Sequence, residues 1–202
     1  MTEETELKFI VQNYGEIARK LMDKSEFIST AYELTVMYDN KEKSLFKEDA
    51  RLRLRQIKNL RNNLETCELS YKKPKTREGI KIEEEDEVSV SSFKEMQEIL
   101  LKIGFFKVSS YDRVRDTFKK DNCKITLDTF SFGNLLEIEG EINSIKKIAK
   151  ELGLNLKDNT SKSCDDIYDD ICKKQGKETD AHILHTKDSL RKAIEQRKVI
   201  LV

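Results

Sequence analysis

Five stretches of this chain carry charges at every second residue, and that spacing limits the fold more tightly than anything else in the sequence. The rows are Glu4/Glu6/Lys8, Arg51/Arg53/Arg55, Glu83/Glu85/Glu87, Arg113/Arg115 and Glu137/Glu139. Side chains two apart share one face of a β-strand. The intervening positions are mostly apolar, as in Leu7/Phe9, Leu52/Leu54 and Leu136/Ile138. For one isolated strand, water on the charged side is explanation enough. Recurrence in five segments asks for a single structure that collects those faces.

The remaining pattern supplies that structure. Strands are expected at about 3–11, 26–39, 50–58, 65–72, 80–90, 110–119, 122–129 and 134–140, eight in all and mostly joined as hairpins. Pro74, the only proline, is expected in a Lys-rich turn ending at Gly79. Amphipathic helices are expected at 13–25, 93–103, 141–152 and 163–174. Ser91 or Ser92 caps the second of these, and Gly104 closes it. The residue pattern is therefore α+β, with helices covering the apolar side of an antiparallel sheet. If the eight strands close, their charged faces become an interior wide enough for a ligand. Residues 1–175 form this domain. Residues 176–202 are a C-terminal extension with a short helix around Leu190 and Ile194 and an apolar end, Val199–Val202, which should dock on the domain or meet a partner. A homodimer is compatible with it.

Charge content narrows the function. Charged residues are 38% of the 202, above the usual ~25%. Lys+Arg and Asp+Glu are each 38, and this balance argues against a general binder of nucleic acid or anionic membrane. There is no apolar run of ~18 residues and no signal-peptide pattern, so a cytoplasmic protein is expected. Cys67, Cys123, Cys164 and Cys172 are widely spaced and read as free thiols, while His182 and His185 lack the second ligand pair that a zinc site needs.

The charge rows contain both signs. The cations are Lys8, Arg51, Arg53, Arg55, Lys72, Arg113, Arg115 and Lys124; the anions are Glu4, Glu6, Glu68, Glu83, Glu85, Glu87, Asp128, Glu137 and Glu139. Arginine offers a rigid fork that fits phosphate oxygens. Glu4, Glu6, Asp128, Glu137 and Glu139 offer the hard oxygen donors that a divalent cation takes. A polyanionic phosphate with Mg²⁺ or Mn²⁺ needs both kinds of group.

Glu4-Thr5-Glu6-Leu7-Lys8 matches the ExExK signature of the CYTH proteins, the triphosphate tunnel metalloenzymes. The resemblance continues through RLRLR at 51–55, LSYKKP at 69–74, Ile103-Gly104-Phe105, YDRVR at 111–115, ITLD at 125–128 and LLEIEG at 135–140. It spans residues 1 to about 172 and looks closest to the class IV adenylyl cyclase branch. The resemblance implies an eight-stranded closed barrel enclosing a tunnel. It implies that Lys8, Arg53, Arg55, Lys72, Arg113 and Arg115 hold a triphosphate and that Glu4, Glu6, Asp128, Glu137 and Glu139 hold Mg²⁺ or Mn²⁺. Lys8, Glu4 and Glu6 would be the catalytic set. Glu83 departs from the pattern by standing where an arginine often opens the strand, with Arg77 upstream as its substitute, and Arg113 occupies a place where lysine is common. The activity expected is hydrolysis of tripolyphosphate, ATP or thiamine triphosphate. The alternatives are cyclisation of ATP to cyclic AMP and diphosphate, or polyphosphate binding without turnover.

Overall fold

The structure, a computed structural model, describes the backbone of residues 2–76 and 81–198 and the side chains of 5–74 and 84–197. Arg77, the turn at 77–80, the apolar end 199–202 and the side chains of Glu4 and Glu83 lie outside the described residues. Ten strands and six helices follow in the order β1 (Thr2–Val11), α1 (Tyr14–Lys24), β2 (Glu26–Asn40), α2 (Ser44–Lys47), β3 (Arg51–Asn59), β4 (Glu65–Thr76), β5 (Lys81–Val90), α3 (Phe93–Lys102), β6 (Phe105–Lys120), β7 (Cys123–Phe130), β8 (Gly133–Glu139), α4 (Ile142–Glu151), β9 (Asn159–Thr160), α5 (Cys164–Gln175), β10 (His182–Ile183) and α6 (Lys187–Lys198). The fold is α+β, built on one mostly antiparallel sheet.

Neighbouring strands run β6-β2-β3-β4-β5-β1-β8-β7, and β7 pairs in turn with β6 through Val114–Lys120 and Cys123–Thr129. Local chemistry sets the hairpins. Asp121 and Asn122 both take positive φ, the geometry of a tight turn whose twist matches two right-twisted strands. Gly104, at φ +92°, lets the chain leave α3 and enter β6 at once. Asn13 caps α1 by accepting the Glu16 N–H, and Ser92 caps α3 by accepting the Glu95 N–H.

The helices lie where the apolar strand faces require them. Ile17, Ala18 and Leu21 of α1 and Ile145, Ile148 and Ala149 of α4 pack on Leu7, Phe9, Ile125, Leu127, Leu136 and Ile138. α3 sets Leu100 against Val36, Tyr38 and Leu54. A third cluster joins Met37, Tyr111 and Phe130 to Ile167 of α5 and Ile183 of β10. The strand positions that alternate with the first two clusters point the other way, into the charged cavity, and Met37, Tyr111 and Phe130 of the third cluster line it with them.

Three details differ from the pattern reading. β4 continues through Pro74, which pairs with Glu83 of β5, so this residue belongs to a strand and not to the turn. β3 reaches β4 only as far as Lys72, so the missing proline N–H costs no ladder bond on that side. β6 begins at Phe105, five residues earlier than the alternation suggests. Two very short strands also finish exposed edges: β9 pairs with β1 at Lys8 and Phe9, just beyond the reach of β5, and β10 pairs parallel to β6 at Ser110 and Tyr111, beyond the end of β7.

The extension is fastened by charge. Arg197 of α6 is 2% exposed; it donates to Asp116, to the Val114 carbonyl and to Thr129 Oγ1, and stacks over Tyr14 at 4.8 Å. Asp116 also accepts from Tyr14 Oη and Thr30 Oγ1, each at 2.6 Å. His182 meets Ser110 Oγ, and His185 meets Asp112 at 2.6 Å. Both histidines therefore serve the docking of β10.

Candidate functional site

The charged strand faces enclose a cavity of about 260 Å³, lined among the described residues by eight cationic and eight anionic side chains. Strand register determines who faces whom. Glu33 lies opposite Arg113, Asp128 opposite Arg115, Glu68 opposite Arg55, Glu85 opposite Lys72 and Glu137 opposite Lys8. Opposite charges at directly facing positions stabilise a sheet.

These pairs join into a continuous chain around the wall. Arg55 reaches Glu68 at 2.9 Å and Glu33 at 3.7 Å. Glu33 binds Arg113 at 2.7 Å, and Arg113 reaches Asp128 at 3.2 Å. Asp128 is gripped by Arg115 through Nε to Oδ1 and Nη2 to Oδ2, both at 2.7 Å. Arg115 continues to Glu137 at 3.0 Å, and Glu137 to Lys8 at 3.1 Å. A second group links Arg53 and Lys72 through Glu85.

Burial makes these charges strong. Lys8, Arg55, Arg113 and Arg115 are each 9% exposed or less. Burial works against the Lys8 ammonium, but Glu137 and Glu6 outweigh it and hold it above its ordinary value. Burial likewise opposes the Glu33 carboxylate, and Arg113, Arg115 and Arg55 together hold it well below the usual carboxylate range. Arg53 behaves differently: burial and the adjacent Arg55 pull it down. Arg53 is thus the guanidinium least compensated by its neighbours, whereas, against burial, Glu33 and Glu68 hold Arg55 above its ordinary value.

The acidic side has a complementary peculiarity. Glu6 of β1 faces Glu139 of β8 directly, and Glu137 is the next residue on that face. Like charges at facing positions repel. Lys8 stands 3.8 Å from Glu6 and Lys124 3.5 Å from Glu139. Glu6, Glu137 and Glu139 thus put hard oxygen donors on one part of the cavity wall. Among the described residues no three Asp, Glu, His or Cys side chains form a ready-made metal cluster.

Of the residues expected to form the site, Glu6, Lys8, Arg53, Arg55, Lys72, Arg113, Arg115, Glu137 and Glu139 all line the cavity. Asp128 is not brought to its wall. Fully buried, it sits among the two guanidinium groups and accepts from both. Glu33 was not anticipated. It is the one charged residue in the middle of β2, between Glu26 and Asp39, and no second charge two residues away marks it as part of a row. Ser163, Cys164 and Asp165, where α5 begins, also line the cavity. Burial, and then Asp165, push the Cys164 thiol up to about 12, so it is an uncharged wall group. No sequence signal marks a helix N-terminus as lying on the cavity.

Comparison with known proteins agrees with this geometry. The pattern of the CYTH domain family matches residues 2–163. A candidate adenylate cyclase of Methanocaldococcus jannaschii is 24% identical over 151 residues, 74% of this chain and 83% of its own. The PH1819 protein of Pyrococcus horikoshii OT3 superposes with a TM-score of 0.68 at 28% identity, over 79% of this chain and 94% of its own. HpAC1 from Hippeastrum, a candidate adenylyl cyclase with a dominant triphosphatase activity, superposes with a TM-score of 0.60 at 19% identity, over 89% of this chain and 98% of its own. At that identity the likeness concerns the fold alone.

Proposed function

This chain belongs to the CYTH domain family, and from that premise we propose that it is a divalent-metal-dependent phosphohydrolase of an inorganic, nucleoside or thiamine triphosphate, working inside a closed eight-stranded tunnel. The pairing of β7 with both β8 and β6 supports closure. The observation that carries the function is the convergence of Lys8, Arg53, Arg55, Arg113 and Arg115, all largely buried, on one polar cavity.

Phosphoryl transfer passes through a loose transition state, so catalysis consists mainly of positioning and charge neutralisation. Arg53 and Arg55 on β3, Arg113 and Arg115 on β6, and Lys72 on β4 hold the phosphate oxygens. Glu33 and Asp128 fix the β6 guanidinium groups in place before substrate arrives, so little reorganisation is needed. Lys8, kept charged by Glu137 and Glu6, either binds a terminal phosphate oxygen or orients the attacking water. Glu6, Glu137 and Glu139 would hold Mg²⁺ or Mn²⁺, joined by Glu4, whose side chain lies outside the described residues. Such an ion, when bound, screens the phosphate charge and lowers the pKa of coordinated water. Asp128 would join this donor set only by releasing two guanidinium groups, which favours a positioning role for it.

The likeness to the archaeal candidate cyclase favours one second reading, cyclisation of ATP with loss of diphosphate. One experiment separates the two. The protein is incubated with tripolyphosphate, thiamine triphosphate and ATP in Mg²⁺, in Mn²⁺ and in EDTA, and the products are resolved. We expect phosphate release that stops in EDTA. Cyclic AMP with diphosphate would establish the cyclase, tight binding without turnover would make the protein a polyphosphate-binding module, and undiminished turnover in EDTA would remove the metal from the mechanism.

A further inference from the structure

The extension docks on β6, the strand that carries two of the arginines assigned to phosphate. Side chains of β6 alternate across the sheet. Tyr111, Arg113 and Arg115 line the charged cavity, whereas Ser110, Asp112 and Asp116 lie on the other face, and each of these three meets the extension. The anchoring residues of the extension all lie beyond 2–163, the stretch that the family pattern matches.

The two arginines are not supported alike. Arg115 pairs with Asp128 of β7 on one side and Ala31 of β2 on the other, so two long strands hold its backbone. β7 reaches β6 only as far as Val114. Over residues 110–113 the edge of β6 turned away from β2 is met, among the described residues, by the extension. β10 pairs there with Ser110 and Tyr111, and the Ser110 N–H donates to the Ala181 carbonyl at 2.9 Å.

Asp112, next to Arg113 in the chain, ties this segment down. It is 3% exposed; its Oδ1 accepts the His185 backbone N–H at 2.9 Å and the His185 Nδ1–H at 2.6 Å, and its Oδ2 accepts from Tyr32 Oη at 3.0 Å. On the cavity side, Ile183 of β10 shares a cluster with Tyr111 and Phe130, and Arg113 lies over the Phe130 ring at 6.0 Å. Glu33 and Asp128 fix the tip of Arg113. The extension fixes the backbone from which that side chain springs.

We propose that the extension is a working part of the phosphate site, with His185 and Ile183 as positioning residues that act through Asp112, Tyr111 and Phe130 to set Arg113 for a phosphate oxygen. Arg115 is left to β7. The inference rests on the triphosphate reading given above and adds the extension to that site. A charge-assisted hydrogen bond depends on distance and angle, so a guanidinium shifted by about 1 Å keeps its charge and loses much of its bond.

The test is a double-mutant cycle on the full chain, read as the Kd of tripolyphosphate in EDTA by calorimetry. His185→Ala removes the Nδ1 donor and keeps the backbone N–H. Ser110→Ala is milder and removes only the contact of Ser110 Oγ with His182 Nδ1 at 2.9 Å. His185→Ala should weaken binding by about three- to tenfold in wild type and in an Arg115→Ala background, and by less than about twofold once Arg113 is alanine. Ser110→Ala should weaken it by about two- to threefold, with nothing left of the effect in Arg113→Ala, and it decides alone if His185→Ala does not fold. Equal losses with and without Arg113, or no loss at all, would overturn the role of the extension and leave the triphosphate reading standing. A wild type that binds no tripolyphosphate would overturn both.

Discussion

Replacing Asp128 by asparagine separates its two roles, metal ligand and holder of arginines. The carboxylate is fully buried and receives Arg115 twice at 2.7 Å and Arg113 once at 3.2 Å. Asparagine keeps the size, removes the charge and turns an N–H₂ group toward a guanidinium that can only donate. Each charge-assisted bond contributes about 1.5–3 kcal/mol, and breaking a buried pair costs about 3–5 kcal/mol. Arg113 retains Glu33 and Arg115 retains Glu137, so the cost should fall near the low end, at about 3 kcal/mol. For a chain of this size that is a melting-point drop of about 6–12 °C. The assay is urea and thermal unfolding in EDTA, with calorimetric titration of tripolyphosphate under the same conditions. Binding should survive, because two cations relieved of a carboxylate still attract an anion. A metal ligand would behave otherwise, with stability in EDTA barely altered and only the Mg²⁺ requirement raised. A stability within about 0.5 kcal/mol of wild type, the usual range for inconsequential substitutions, would refute the positioning role.

Further outcomes follow from the same contacts. Arg113→Ala should weaken tripolyphosphate binding by about 1.5–3 kcal/mol, whereas Glu137→Ala should leave metal-free binding unchanged or tighter and lower turnover; paired calorimetry with and without Mg²⁺ decides, and near-wild-type behaviour of both would sink the tunnel reading. Arg197→Ala strips Asp116 of its buried cation and should cost about 3 kcal/mol, visible as a lower melting point and as new tryptic cleavage near residues 173–192; an unchanged melt would show that α6 is not fastened by this pair. Glu33 has a depressed folded-state pKa, so its stabilisation is complete above the ordinary carboxylate value of about 4.3 and is lost as pH falls from there toward the folded value. The stability difference between wild type and Glu33→Gln should therefore be constant from about pH 7 to 5 and shrink below about 4.5; a difference that grows on acidification would contradict this sign.

Much of the molecule was legible in the chain. Period-two alternation located the long strands, because each has one face in an apolar core and one in a polar cavity. Period 3.6 located the helices that cover the apolar side. Fourteen of the charged residues picked from that alternation do line one cavity. What the pattern could not carry was register. Facing residues come from distant parts of the chain, so nothing local says that Glu33 meets Arg113 across 80 positions, or that Asp128 spends both oxygens on arginines and stays off the wall. Pro74 looked like a turn because local chemistry cannot see that β3 ends beside Lys72 and leaves that edge without need of a donor. The two-residue strands β9 and β10 are too short to carry any period; they exist only because β5 and β7 stop and leave backbone groups to be paired. Residue types determined which chemistry the wall can offer, through side-chain charge and alternation. Only the pairing of distant strands decided which charges meet and where the extension is fastened to the sheet.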